Sequence, residues 1–346
     1  MKNPFDNFYH VPNSQELLDI AFKRSMKSSA QVSKNAPILI KAKKKESKRI
    51  KVATEELINR ILKIIKMVPI IDDLPDFYKE LASILVNIDD LKLTLGKLHG
   101  ILPVLNKIER EHLSKLKRIE APKEGDQIRR AAFGRISSVI NKQKNNLEYL
   151  NEIRGRLREI PSINYTMPCV VVAGYPNVGK SSIVKNISTN KKLEIKEYPF
   201  TTKKLYMGHL EIKRRFDNIK IQIMDTPGVL DRPMAKRNYM ELQAILALRL
   251  ISDLILFVFD PSLSCGYSVE SQIELYNEIK RNFSKDRQIE IIVIFNKMDF
   301  AKDSEIHYLK EKLNLKENEF YLTNALTGEN LGKLINDLKE RYERDE

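Results

Sequence analysis

The stretch CVVVAGYPNVGKSS, residues 169–182, decides the fold of this 346-residue chain. Its first five residues carry no charge and three are valine, which reads as a strand buried on both faces. A glycine ends the strand, and GKSS opens a helical pattern. Gly174 to Ser181 fit G-x-x-x-x-G-K-[ST], a loop that cradles phosphate between a strand and a helix. Gly174 and Gly179 permit the backbone conformations that aim N–H groups at phosphate oxygens. Tyr175, Pro176, Asn177 and Val178 form the loop between them. Lys180 is expected to reach the β and γ phosphates, and Ser181 to ligate Mg²⁺. Ser182 lies in the first turn of the helix, whose N-terminus adds its positive dipole end.

Downstream, β-rich runs alternate with helical stretches: LYMGHLEI (205–212), IKIQIMD (219–225), LILFVFD (254–260), IEIIVIF (289–295) and FYLTNA (320–325). Continuous apolar runs separated by helices predict an α/β domain, with a mostly parallel six-stranded sheet flanked by helices. The polar link KRRFDN joins the second and third of the six runs as an antiparallel hairpin. Upstream, apolar residues recur at spacings of three and four, as in Leu57, Ile61, Leu62, Ile65 and in Leu91, Leu95, Leu98, Leu102, Leu105. These stripes predict a bundle of five to seven amphipathic helices. Pro69, Pro75, Pro103 and the APKEGD turn (121–126) are read as breaks. Periodicity lapses at EIPSINYT, so the division is 1–162, a basic helical bundle, and 163–346, the phosphate-binding domain.

Charge divides the same way. The chain carries 60 Lys and Arg against 46 Asp and Glu, a net +14. Residues 1–160 hold 32 basic and 20 acidic side chains, and the remainder 28 and 26. A polyanionic partner is therefore expected for the helical half. KAKKKESKRIK (41–51) has seven Lys or Arg in eleven residues. Arg129, Arg130, Arg135, Lys142 and Lys144 read as a second basic cluster on one helix. Few aromatics interleave with either, which favours backbone recognition of structured RNA over stacking on single strands. Two cysteines, Cys169 and Cys265, make no disulfide framework, and no secretory signal is legible; a cytoplasmic protein is expected. No apolar run is long enough to span a membrane. The five histidines show no zinc-ligand spacing.

Three further motifs follow in order, and a fourth lies between the phosphate loop and the first of them. DTPG ends the third strand; Asp225 is expected in the Mg²⁺ shell and the Gly228 N–H at the γ-phosphate. In NKMD (296–299), Asp299 accepts two hydrogen bonds from guanine N1–H and its exocyclic amine, a donor pair adenine lacks. Asn296 offers its amide to purine N7 and tethers the phosphate loop, while the Lys297 stem covers the base. Asn324-Ala325-Leu326 matches a Ser-Ala-x element whose backbone N–H meets guanine O6; Asn replaces Ser, so the Ala325 backbone role carries over most directly. In YPFTT (198–202), a threonine that meets Mg²⁺ and the γ-phosphate orders the loop in the GTP state. Thr202 is preferred over Thr201.

GYPNVGKSS, YPFTTK, DTPGVLDRP, CGYS (265–268) and QIELY (272–276) resemble the Nog family, the nucleolar GTP-binding proteins, within the Obg-like GTPases. PNSQELLDIAFKRS (12–25) and RRAAFGRISSVINKQKNNLEYL (129–150) resemble that family's helical N-terminal domain. Ending at Glu346, the chain looks like the shorter archaeal-type members. The resemblance implies a GTPase that binds GTP or GDP with Mg²⁺. It further implies action in assembly of the large ribosomal subunit, with the helical domain docking on ribosomal RNA of the precursor particle.

Lys180, Thr202, Gly228 and Asn177 are the expected catalytic set. In some relatives with GxPNxGKS the Asn coordinates K⁺; an Asn177 that only stabilises the loop is equally open. Val229 stands where many small GTPases have a water-positioning glutamine, which implies slow intrinsic hydrolysis stimulated by a partner. A monomer off the ribosome is expected. The alternative is a structural RNA-binding placeholder in which nucleotide mainly stabilises the fold. A membrane-associated signalling role is disfavoured, because no lipidation motif is present.

Overall fold

A computed structural model describes residues 3–33, 35–197, 204–213, 218–226, 230–232, 239–283, 289–317 and 319–343. Its contacts divide the chain into two units. One comprises Pro4–Leu74 and Leu85–Arg158; the other comprises Met1–Asn3, Pro75–Ile84 and Glu159–Glu346. The second unit thus takes a helix from within the helical half, where a single cut at 162/163 was expected. Tyr78 on that helix is buried, and its hydroxyl donates to the Ile163 carbonyl (2.9 Å) and accepts from the Ile163 N–H (3.0 Å). These bonds fix the segment that leads into the first strand.

The helical unit contains α1 (Ser14–Lys27), α2 (Ile38–Met67), α4 (Ile88–Lys117), α5 (Pro122–Asn141) and α6 (Lys144–Arg158); α3 (Asp76–Leu85) is the helix just described. Six helices among the described residues fall within the expected range. Asn13 caps α1 in a capping box with Glu16, and Asn87 caps α4. Pro103 does not break the chain, contrary to expectation: α4 runs through it. Proline forfeits a hydrogen bond to the preceding turn, but Ile101, Leu102, Leu105 and Ile108 around it are buried, and that burial holds the helix.

The second unit is built on seven strands among the described residues, one more than expected. They are β1 (Cys169–Ala173), β2 (Glu194–Glu197), β3 (Lys204–Lys213), β4 (Asn218–Asp225), β5 (Leu254–Phe259), β6 (Glu290–Phe295) and β7 (Phe320–Leu322), in the order β2-β3-β4-β1-β5-β6-β7. The added strand, EIKE, has charges at three of its four positions and lies at the sheet edge. Such a sequence lacks the apolar signal of a strand but suits an edge, where charge discourages further pairing. β3 and β4 pair antiparallel, from Tyr206 opposite Asp225 to Lys213 opposite Asn218. β4, β1, β5, β6 and β7 are parallel. Every residue of β1 and β5 is buried, as central positions require.

Helices α7 (Lys180–Ile187), α8 (Tyr239–Ala247), α9 (Val269–Phe283), α10 (Asp303–Leu313) and α11 (Leu331–Glu343) complete the unit. Register aligns Val172 with Asp225, Phe259 with Phe295, and Phe295 with Leu322. Residues 174, 226, 260, 296 and 323 therefore leave the sheet along one carboxyl edge, where open α/β sheets bind ligands.

Candidate functional site

At that edge a cavity of about 670 Å³ is lined by Pro176, Asn177, Gly179, Lys180, Ser181, Ser182, Asn296, Lys297, Asp299, Asn324, Ala325 and Leu326. Asp231, Ser264 and Phe300 complete the wall. These three were not singled out from sequence. Ser264 and Phe300 flank recognisable motifs but belong to none, so spacing gave no signal.

The phosphate loop has the expected backbone. Gly174 lies at φ +134° and Gly179 at φ +104°, conformations that favour glycine. A Cβ on Gly174 would sit 2.5 Å from the Val258 carbonyl oxygen, and one on Gly179 only 2.1 Å from Asn296 Nδ2. Asn177 also has positive φ, at 63°. Gly179 caps the N-terminus of α7. Lys180 is buried, and its Nζ donates to the Gly174 and Tyr175 carbonyls at 2.8 Å each. Tyr175 stacks on Tyr267, with ring centroids 4.1 Å apart. Val178 is wholly buried.

The Ser181 hydroxyl donates to Asp225 Oδ2. Asp225 is fully buried, and its Oδ1 has no hydrogen-bond partner among the described residues. Burial pushes its carboxyl above the usual range, against the opposing pull of Ser181 and Lys180. Thr226 anchors the end of β4 through its hydroxyl on the Val172 carbonyl (2.8 Å). Hard oxygen donors from a hydroxyl and a buried, half-satisfied carboxylate suit Mg²⁺. Thr201, Thr202, Gly228 and Val229 lie outside the described residues.

Asn296 joins three segments. Its Nδ2 donates to the Val178 carbonyl (2.8 Å), and its Oδ1 accepts from the Ala325 N–H (2.8 Å) and the Thr323 hydroxyl (3.2 Å). The Ala325 N–H, expected at guanine O6, is thus directed to Asn296; a purine contact there requires sharing or exchange. Asn324 accepts through Oδ1 from the Leu326 and Thr327 N–H groups. That bracing of the turn gives the Asn a local role where a Ser was expected. Asn186 on α7 donates to the Ala325 carbonyl (2.7 Å), tying the turn to the phosphate-loop helix. Asp299 is exposed on the cavity wall, and Leu326 is 87% exposed there.

In the helical unit, Lys41, Lys44, Lys45, Lys48 and Lys51 are exposed at helical spacing along α2. Arg49 is instead drawn inward to Glu46 (3.0 Å). The second basic cluster needs correction. Arg129 is buried, pairs with Glu46 and Asp126, and lies over the Phe133 ring. Arg135 pairs with Glu111; α5 ends at Asn141, so Lys142 lies just beyond it and Lys144 begins α6 rather than sharing one helix with the arginines. Neighbouring carboxylates, invisible to a linear charge count, consume much of that cluster.

Comparison with known proteins agrees with this architecture. The NOG1 N-terminal helical domain matches residues 5–164, and the nucleolar GTP-binding protein 1 (NOG1) family matches residues 239–299. The chain is 34% identical over 305 residues to an uncharacterised protein of Methanocaldococcus jannaschii, covering 88% of this chain and 83% of that one. It is 34% identical to nucleolar GTP-binding protein 1 of Encephalitozoon cuniculi, over 93% of this chain and 59% of that protein. The Caenorhabditis elegans protein of the same name is 32% identical, over 86% of this chain and 42% of its own length. The chain thus spans about half the length of these two named relatives.

Proposed function

Because the chain belongs to the nucleolar GTP-binding protein 1 family, we propose that it binds GTP and GDP with Mg²⁺ and hydrolyses GTP slowly. In the same proposal it serves as an assembly factor for the large ribosomal subunit, contacting ribosomal RNA through its helical unit. The observation that carries the nucleotide reading is the convergence on Asn296. One buried amide links the phosphate loop to the element after β7, so phosphate and base subsites are braced as one cavity.

In this reading the backbone from Gly174 to Ser182 holds the phosphates, and Lys180 exchanges its loop carbonyls for phosphate oxygens. Asp299 reads guanine, with Lys297 and Leu326 as apolar cover. Ser181 and Asp225, together with Thr202, hold Mg²⁺. When bound, Mg²⁺ neutralises charge between the β- and γ-phosphates. Asn177 lines the cavity and is the candidate K⁺ ligand. The exposed lysines of α2 meet RNA phosphates. No helix among the described residues is long and apolar enough to cross a membrane. A monomer acting where large subunits assemble, the cytoplasm or a nucleolus, fits this role.

Hydrolysis by the full chain, measured in K⁺ and in Na⁺, tests the enzymatic part. Slow turnover that quickens in K⁺ is expected. Unaided turnover on the order of 5–20 s⁻¹, the range of partner-stimulated GTPases, contradicts it.

A further inference from the structure

The loop after β5, DPSLSCGYS (260–268), belongs to none of the nucleotide motifs, yet it closes on one of them. Asp260 is entirely buried, and Lys297 Nζ donates to its Oδ2 at 2.8 Å and to Ser264 Oγ at 2.9 Å. The carboxylate is fully engaged. Oδ2 also accepts from the Cys265 N–H (2.8 Å) and the Ser264 hydroxyl (3.0 Å), and Oδ1 from the Ser262 N–H (3.0 Å) and hydroxyl. Gln272 on α9, buried itself, fixes the backbone: its Oε1 accepts from the Asp260 N–H (2.8 Å) and its Nε2 donates to the Asp260 carbonyl (3.1 Å). Burial raises the Asp260 carboxyl, but the bonds from Lys297, Ser262 and Ser264 outweigh it and hold it below the usual range.

We propose that Asp260 is a positioning residue for the purine. By anchoring the Lys297 ammonium, it holds the Lys297 stem as a fixed wall of the base subsite and so lengthens nucleotide residence. The proposal rests on the guanine reading above. A free lysine chain samples many rotamers and must be ordered each time a base binds; a tethered one is ordered in advance. Lys297 itself sits at φ +60°, so its backbone is committed as well. The requirement for an anchor accounts for the polar, serine-rich loop after a wholly apolar strand.

The test follows release of a fluorescent GDP, mant-GDP, from the full chain and from Asp260→Asn, Lys297→Met and the double variant. Lys297→Met keeps an apolar stem and removes the anchored charge. Each single variant should release mant-GDP about two- to tenfold faster, matching the cost of immobilising one long side chain. The double variant should be no faster than the faster single, because both changes cut one tether. A pairing that is only structural lowers the melting temperature and leaves release from Lys297→Met unchanged, and that result overturns the proposal. Additive effects in the double variant overturn it too. Should Asp260→Asn fail to fold, Lys297→Met decides alone. If the unaltered chain does not bind mant-GDP, the guanine reading falls and takes this proposal with it; normal binding with unchanged release defeats the tether alone.

Discussion

Asp225 sits in the interior with one carboxylate oxygen bonded to Ser181 and the other unpartnered among the described residues. Leaving a buried polar atom unsatisfied costs about 1–3 kcal/mol, and more when it is charged. A divalent cation shared by Asp225 and Ser181 removes that cost and joins nucleotide to protein. Ser181→Ala should therefore make nucleotide release insensitive to metal. With the unaltered chain, EDTA should accelerate mant-GDP release; in the variant, release should be fast with or without it. A variant that still responds fully to EDTA would show that Ser181 is not a ligand. This pair is legible in the sequence because two short motifs, the GYPNVGKS loop and DTPG, each stand at the end of a recognisable strand, β1 and β4. The Asp260–Lys297 tether is not. DPSLS has the composition of any turn, and only the β5–β6 register brings it beside NKMD.

The phosphate loop depends on close approach between elements. Gly179 begins α7 and faces the Asn296 amide so closely that a methyl group has no room. Gly179→Ala should break the Asn296–Val178 bond, lower the melting temperature and abolish detectable GDP binding; near-normal affinity in that variant would contradict the bracing described here. At this scale the sequence is readable where side chains repeat with a period and opaque where packing overrides local preference. The β1 and β5 runs are apolar throughout because both faces are covered. EIKE carries no such signal, since an edge strand is set by its neighbour rather than by burial. Pro103 reads as a stop, yet the buried residues around it carry α4 through. Likewise Arg129 looks like surface charge until Glu46, far away in sequence, is seen to pair with it.

Across the whole molecule, the net charge of +14 separates into a near-neutral nucleotide-binding half and a basic helical half. Only part of that basic charge is exposed toward solvent; Lys44, Lys45 and Lys48 on α2 are a clear share of it. Replacing Lys44, Lys45 and Lys48 together by Glu should weaken binding to ribosomal RNA and flatten its salt dependence. On duplex nucleic acid the logarithmic slope changes by about 0.9 for each phosphate that the protein no longer neutralises. GDP affinity should stay the same, and an unchanged salt slope would remove α2 from the RNA-facing surface. Guanine recognition by Asp299, in a cavity braced by Asn296, underlies each of these roles. Calorimetric titration of the full chain and of Asp299→Asn with GDP and ADP in Mg²⁺ tests it most directly. Two hydrogen bonds to a charged acceptor, at about 1.5–3 kcal/mol each, predict that the unaltered chain prefers GDP over ADP by about a hundredfold or more, and that the variant loses that preference. Equal affinity of the unaltered chain for GDP and ADP, or an undiminished preference in the variant, would contradict it.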